Sequence, residues 1–237
     1  MNLFYTPEIN SSTYTLSKEE SAHCVVVFRL KMGDEIHLTD GKGSLFKAVL
    51  IDNNPKACVV EIRETINEFE KRNFNLHIAM APTKNIARVE WFIEKATEMG
   101  IDEFTFLLCD HSERMVIKTD RLNKIVTSAV KQSIKAYHPV IHGALKFKEL
   151  IKKYNTFTGK KYLAYCHDDV SKRISLKDNY KRGEDALILI GPEGDFSKHE
   201  ISLAIENGFK LITLGNSRLR TETAALAACH TINLINE

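Results

Sequence analysis

From Ala186 to Leu226 the chain runs apolar, turns on glycine, runs amphipathic, and then repeats the cycle. Ala186-Leu-Ile-Leu-Ile190 is short and unbroken, the pattern of a strand buried on both faces of a parallel sheet. Gly191-Pro192-Glu193-Gly194-Asp195-Phe196 follows, and Ser197 with Glu200 spells a capping box that opens a helix closing on Gly208. A second apolar run, Leu211 to Leu214, leads into Gly215-Asn216-Ser217-Arg218-Leu219-Arg220-Thr221-Glu222-Thr223-Ala224-Ala225. The order is strand, tight loop, helix, strand, tight loop, helix. Ligands of open parallel sheets settle at loops leaving the carboxyl ends of strands. Both loops leave such ends and carry charged residues among glycines, so they form the candidate site. Pro at the second and Gly at the fourth position of 191–194 also describe a type I turn, so that tetrapeptide alone specifies little.

Taken together, Gly-Pro-Glu-Gly-x-Phe-Ser and Leu-Gly-x-x-x-Leu-Arg-Thr-Glu-Thr-Ala resemble the signature of the RsmE family. Its members are SPOUT-class, S-adenosylmethionine-dependent methyltransferases acting on N3 of a uridine in bacterial 16S ribosomal RNA. The resemblance runs through most of the chain: the stretch from His23 through Arg29 and Leu30 with Gly33-Asp34, then Lys84, Lys95, Glu98 and Gly100, then Gln132-Ser133. It implies a PUA-like, RNA-binding β-barrel over residues 1–70. It also implies a SPOUT methyltransferase domain over 71–237, whose C-terminal segment threads a trefoil knot with the bent cofactor lying against it. Two departures stand out. Asp195 occupies a position where the family commonly has glycine, and Asp tolerates left-handed backbone better than most residues. Ile134-Lys135 stands where Gly-Arg is more frequent, and lysine is a point charge where arginine is a bidentate fork.

A chain of 237 residues can bury a sizeable core as one large domain or two small ones. The formal net charge of +2 says nothing about partners, but its distribution does. Arg114 to Arg182 holds 17 Lys or Arg against 5 Asp or Glu, so this segment is +12 and the remainder −10. Two readings of that belt stand, a polyanion partner or lysine-rich solvated helices. Five scattered cysteines without a Cys-x-x-Cys pair point to reduced thiols in a cytosol and not to a disulfide frame or zinc site. His138 and His142 lack a second ligand pair, so no metal is expected. The N-terminus lacks the basic and apolar regions of a signal peptide, and no run reaches the length of a membrane span. Neither Gly-x-Gly-x-x-Gly nor a P-loop is present, which sets aside dinucleotide and nucleoside-triphosphate sites of those types.

Along the chain, residues 1–66 read mostly as short strands with a turn at Asp40–Gly43, the pattern of a small barrel. Ser17 and Glu20 spell a capping box, and Asn67 to Asn73 reads as a linker. From residue 74 strands alternate with helices, so the class is α/β with a mainly parallel sheet. Helices are expected over Lys84–Met99, Asp120–Tyr137 and Phe147–Tyr154, with strands at Leu76–Ala81, Phe104–Leu108 and Tyr162–Cys166. Asp168 to Glu184 reads as a polar, basic loop. The closing helix from Glu222 is apolar nearly all round and is expected to be buried, in the core or against a second copy.

A sulfonium-activated methyl needs to be held, kept dry and aligned behind a nucleophile. The strand exits and the resemblance assign cofactor contacts to Leu189, Gly191, Pro192, Glu193 and Gly194 in the first loop. In the second loop they assign Leu214, Gly215, Asn216, Leu219, Arg220, Thr221, Thr223 and Ala224. Uracil N3 carries a proton, so the carboxylates Glu193 and Glu222 are candidate bases and Arg220 a candidate stabiliser of the uracil anion. Their bland alternatives are a turn residue for Glu193, a helix first-turn carboxylate for Glu222 and a carboxylate partner for Arg220. RNA contacts are assigned to Arg29, Lys84, Arg88, Arg114, Lys131, Gln132, Lys135 and Arg218, Arg29 being equally readable as a solvated strand-end charge. The expected protein is a cytoplasmic homodimer acting on 16S rRNA. Two rivals stand beside it, a related methyltransferase acting on another RNA or base atom and a non-catalytic RNA-binding ribosome-assembly factor.

Overall fold

The computed structural model describes residues 2–165 and 174–237. They divide into two units, Met1–Lys71 with Thr127–His138, and Arg72–Val126 with Pro139–Glu237. Cys166, the last residue of the expected strand at Tyr162–Cys166, and the expected loop from Asp168 as far as residue 173 lie outside the described residues.

The first unit is built on five strands, β1 Leu3–Tyr5, β2 Thr13–Thr15, β3 Glu35–Thr39, β4 Leu45–Asp52 and β5 Val59–Ile66, in the order β1-β3-β4-β5-β2. β1 pairs with β3 in parallel and the other neighbours are antiparallel. The hydrogen-bonded order ends on β1 and β2, so the small barrel is a curled half-barrel. Alternation along the strands turns Ile36, Leu38, Phe46, Ala48, Leu50 and Val60 inward to meet Phe4, Leu16 and Cys24. The β3–β4 turn is held by Asp40, whose Oδ1 accepts from Lys42 N (2.7 Å) and Ser44 N (3.0 Å). Helix α1, Lys18–Ala22, continues into a π-helical turn over His23–Val27.

Only half of the capping box expected at Ser17 is made. Ser17 Oγ accepts from Glu20 N at 3.2 Å, but the Glu20 carboxylate accepts from Lys131 Nζ at 2.8 Å. Lys131 belongs to the segment 127–138, which joins this unit. Gly43 N donates to Ala136 O (2.9 Å) and His138 N to Gly41 O (2.8 Å). A boundary at residues 70/71 puts this segment with the methyltransferase part, whereas in the fold it completes the first unit.

The second unit carries six parallel strands, β6 Leu76–Met80, β7 Glu103–Leu108, β8 Val140–Lys146, β9 Lys160–Ala164, β10 Ala186–Ile190 and β11 Lys210–Ile212, ordered β11-β9-β10-β6-β7-β8. β10 is buried at every position, as its unbroken apolar run requires. Helices α2 Ile86–Met99, α4 Phe147–Lys153, α5 Leu176–Asn179, α6 Lys198–Glu206 and α7 Thr221–Asn236 cover the sheet, and α3 Thr119–Gln132 is divided between the units. One core cluster joins Leu107, Leu163, Leu187 and Leu189 to Phe147 and Leu150 of α4 and to Phe196 and Ala204. Truncating a side chain such as Leu189, fully buried there, would cost about 2–5 kcal/mol. α7 packs on α2, β6 and β10 through Ala225, Ala228, Cys229 and Ile232. Its opposite side, including Leu234, is exposed in the single chain.

Strand β8 was not expected, because Gly143 and Ala144 interrupt a run whose side chains are mostly exposed. α3 stops at Gln132, short of Tyr137. His138 and His142 belong to different units. His142 Nε2 lies 2.6 Å from Glu103 Oε2, while buried His77 meets Thr105 Oγ1 through Nε2 at 2.8 Å. These groups sit near the amino ends of β6–β8, opposite the candidate site. Burial pushes His77 down to about 4 against the pull of Glu103.

Candidate functional site

A cavity of about 340 Å³ opens where β9, β10 and β11 end. Ala164, Ile190 and Ile212, the last residue of each strand, line it together with Tyr165, Leu214 and Leu219. The first loop contributes Gly191, Pro192, Glu193 and Asp195, and the second contributes Gly215, Ser217, Arg218, Arg220, Thr221 and Ala224. Thr221 Oγ1 donates to Gly191 O at 3.1 Å and ties the two loops together. Each loop holds a glycine that resists a side chain, one for want of space and one for its backbone conformation. A Cβ on Gly191 would stand 3.0 Å from the Phe196 ring, and Gly215 has φ 110, a conformation that L side chains rarely adopt.

The first loop is fixed from outside. Its turn closes with Asp195 N donating to Pro192 O (2.9 Å), one residue later than the spacing of Pro and Gly suggested. Asp195 has φ 62, and its Oδ1 accepts from Phe196 N at 2.8 Å. His111 Nδ1 donates to Gly194 O (3.1 Å) and Asp195 O (2.9 Å), which raises the imidazole above its ordinary pKa. The expected capping box at Ser197 and Glu200 is complete, and Glu200 Oε1 also accepts from Asp110 N at 3.0 Å. Burial raises the Asp195 carboxyl, against the Phe196 N–H and the charges of Arg218 and His111.

Of the cofactor positions read from sequence, Leu189, Gly194, Asn216 and Thr223 are not among the lining residues. Leu189 is buried in the core, and Gly194 faces His111. Ala164, Tyr165, Ile190, Asp195, Ile212, Thr213 and Ser217 line the cavity without a role read from sequence, and Arg218, assigned to RNA, lines it too. The rule that strand exits form the site would have found the β9 residues had that strand's pairing with β10 been visible.

The three candidate catalytic residues separate. Arg220, exposed at the N-cap of α7, and Glu193 reach the cavity wall, but Glu193 Oε1 also accepts from Lys84 N at 3.1 Å. Glu222 is only 7 % exposed and does not line the cavity. Its Oε1 stands 3.6 Å from Arg88 Nε, an ion pair without a hydrogen bond, and its Oε2 is buried without a partner.

The assigned RNA contacts divide as well. Lys131 and Arg88 face buried glutamates. Lys84 pairs with Glu113 at 2.9 Å, and Lys135 lies 3.9 Å from Glu70. Arg114 donates to Thr83 O (3.1 Å) and Lys84 O (2.6 Å), bracing the loop after β6. Arg29, with φ 57, and Gln132 are exposed, and Arg218 lies at the cavity. Among the described residues no cluster could hold a metal ion, and no helix is long and apolar enough to cross a membrane.

Apolar walls, approachable main chain and a few charges at the mouth suit a small molecule with an apolar, ring-bearing body. Comparison with known proteins agrees. An RNA methyltransferase domain model matches residues 70–233, and an RNA methyltransferase PUA domain model matches 16–63. The ribosomal RNA small subunit methyltransferase E of Synechocystis is 30 % identical, the match covering 99 % of this chain and 78 % of that protein. A crystal structure of a probable rRNA-methyltransferase from Porphyromonas gingivalis is 41 % identical with a TM-score of 0.92, over 100 % of this chain and 98 % of that one. That of the ribosomal RNA small subunit methyltransferase E from Neisseria gonorrhoeae, bound to S-adenosyl methionine, is 26 % identical with a TM-score of 0.86, over 100 % and 98 %. This chain therefore belongs to the RNA methyltransferase family whose curated members are called ribosomal RNA small subunit methyltransferase E, the RsmE family that its two glycine-bearing motifs resemble.

Proposed function

We propose that this protein methylates N3 of a uridine in 16S ribosomal RNA using S-adenosylmethionine held in the cavity at the ends of β9, β10 and β11. The observation that carries the reading is the pairing of that cavity with Arg220 at its wall. Ile190, Ile212, Leu214 and Leu219 would flank the adenosine part, with the main chain at Gly191 and Gly215 close to it. When bound, S-adenosylmethionine supplies a methyl made electrophilic by its sulfonium. The chain then has to orient the uracil, exclude water and stabilise the anion left as the N3 proton departs. A fixed guanidinium at Arg220 favours that anion as it develops, which lowers the barrier and not merely the ground state. Glu193 stands at the wall as the candidate proton acceptor. The place of Glu222, buried beside Arg88, supports a positioning role in the first turn of α7.

Arg29 and Gln132, exposed in the half-barrel unit, support its reading as an RNA-binding module. The exposed Trp91 and Met99 on α2 and Leu234 on α7 support a homodimer through those helices. The return of α7 from edge strand β11 to the central β6 and β10 supports a threaded C-terminus. Free buried thiols at Cys24, Cys58, Cys109 and Cys229 accord with the cytoplasm. Mass analysis of 16S rRNA nucleosides from a deletion strain tests the function. Loss of N3-methyluridine is the expected result, and unchanged modification would sink it. Loss of a different mark would favour a related methyltransferase with another target, and an unmethylated RNA partner a binding factor.

A further inference from the structure

We infer that Asp195 and Arg218 form the subsite for the amino-acid end of the cofactor, Asp195 receiving its α-ammonium and Arg218 its carboxylate. The inference rests on the reading of the cavity as an S-adenosylmethionine site. Both residues line that cavity, one from each loop, so opposite charges meet a ligand from two sides. Asp195 is held by three main-chain ties. Its N donates to Pro192 O, its O accepts from His111 Nδ1, and its Oδ1 accepts from Phe196 N. With Oδ1 engaged, Oδ2 remains for a ligand. The carboxyl is partly desolvated, which raises its pKa, and the Arg218 charge acts against that rise. A half-dry carboxylate gains from a cation brought to it. Arg218 is exposed and makes no ion pair within 4.0 Å among the described residues. A nucleoside body needs no charges from the protein, whereas a zwitterionic tail needs one of each sign. That matches the arrangement.

Two ligands separate tail from body. S-Adenosylhomocysteine carries the amino-acid tail, and 5′-methylthioadenosine keeps the adenosine and sulfur but lacks it. Calorimetric affinities of both are measured for the full chain, Asp195→Asn and Arg218→Gln. Asn accepts left-handed backbone and retains an amide oxygen for Phe196 N, so the turn should persist. Each substitution should weaken S-adenosylhomocysteine about tenfold, as expected for a charge-assisted hydrogen bond, and leave methylthioadenosine within about twofold. Equal losses for both ligands would mean a damaged loop and overturn the subsite, as would no loss for either. Should Asp195→Asn fail to fold, the exposed Arg218→Gln carries the comparison by itself. A wild-type chain binding neither ligand would overturn the cavity reading itself, a result distinguishable from failure of the tail assignment.

Discussion

Each unit buries one glutamate against one cation, and the two pairs are built differently. Glu20 and Lys131 meet at 2.8 Å with a hydrogen bond, whereas Glu222 and Arg88 stand 3.6 Å apart without one. In both, the second carboxylate oxygen is buried without a hydrogen-bond partner, although His23 Nδ1 lies 3.9 Å from that of Glu20. The first pair is a lock, joining α1 to the end of α3 within the half-barrel unit. The second is looser and sits under the first turn of α7, next to the loop that carries Arg220. The difference separates a contact that holds the fold from one that leaves a functional loop adjustable. It also shows why counting cations overstates an RNA surface. Lys131 and Arg88 both belong to the expected contacts, yet each faces a buried carboxylate.

The strongest way to break the comparison is to remove the two cations separately. Lys131→Met should lower unfolding free energy by about 3 kcal/mol, because it leaves a buried carboxylate alone. Arg88→Met also leaves a buried carboxylate but breaks a 3.6 Å pair with no hydrogen bond to lose, so it should cost less, about 2 kcal/mol. Urea titrations of both variants, closed into double-mutant cycles with Glu20→Gln and Glu222→Gln, measure the couplings directly. Equal couplings would erase the distinction between lock and adjustable contact.

A third buried group, His77, whose Nδ1 makes no hydrogen bond and lies 3.9 Å from Glu103 Oε2, sharpens the comparison by adding pH. Its pKa falls from 6.5 to about 4 on folding, so the folded protein refuses a proton that the unfolded chain accepts. Stability is full above pH 6.5, declines as pH falls toward 4, and loses nothing further to this group below that. By pH 5 the loss should reach about 2 kcal/mol. His37, also lowered by burial, adds in the same direction, while His111, raised by its carbonyl partners, opposes. His77→Gln keeps a partner for Thr105 and should remove most of the decline. An unchanged slope between pH 7.5 and 5 in that variant would refute the assignment.

Glu222→Gln probes the looser pair itself. With the carboxylate off the cavity wall, the substitution should weaken S-adenosylhomocysteine binding roughly threefold by loosening α7's first turn. The shape of the single-turnover pH–rate profile should persist. A lost acid limb would restore Glu222 as the base.

Much of this was legible because it is local. An unbroken apolar run, a capping box and glycines at strand exits fixed β10, α6 and the two cavity loops before any tertiary contact was known. What stayed hidden depends on distant partners. Ala164 and Tyr165 line the cavity only because β9 pairs with both β10 and β11. Lys131 loses its freedom to a residue 111 positions away. The Ser17 capping box is half made for the same reason, since the Glu20 side chain is turned to Lys131 instead of back to the Ser17 N–H. Strand β8 owes its place to β7 and not to its own composition.

The smallest expected effect compares two left-handed residues standing where the resembled family favours glycine. Asp195 has φ 62 and Ile134 φ 56, so the backbone demand is nearly the same. Aspartate meets it at modest cost, but a β-branched side chain does not, because its Cβ substituents crowd the following carbonyl. Ile134 caps the end of α3, where Lys135 N reaches back to Val130 O at 3.0 Å, the six-to-one bond of a Schellman motif. With no glycine to mark it, that stop was invisible, and the helix was expected to continue to Tyr137. Ile134→Gly should relieve about 1–2 kcal/mol of strain. It should lose part of that through greater unfolded-state freedom, leaving a net gain of about 0.5–1 kcal/mol. In a chain of this size the gain is a rise of about 2–3 °C in melting temperature, readable by calorimetry. A fall instead would show that the packing of Ile134 outweighs its strain, and that this cap, like the Glu20–Lys131 lock beside it, is held by tertiary contacts and not by local backbone preference.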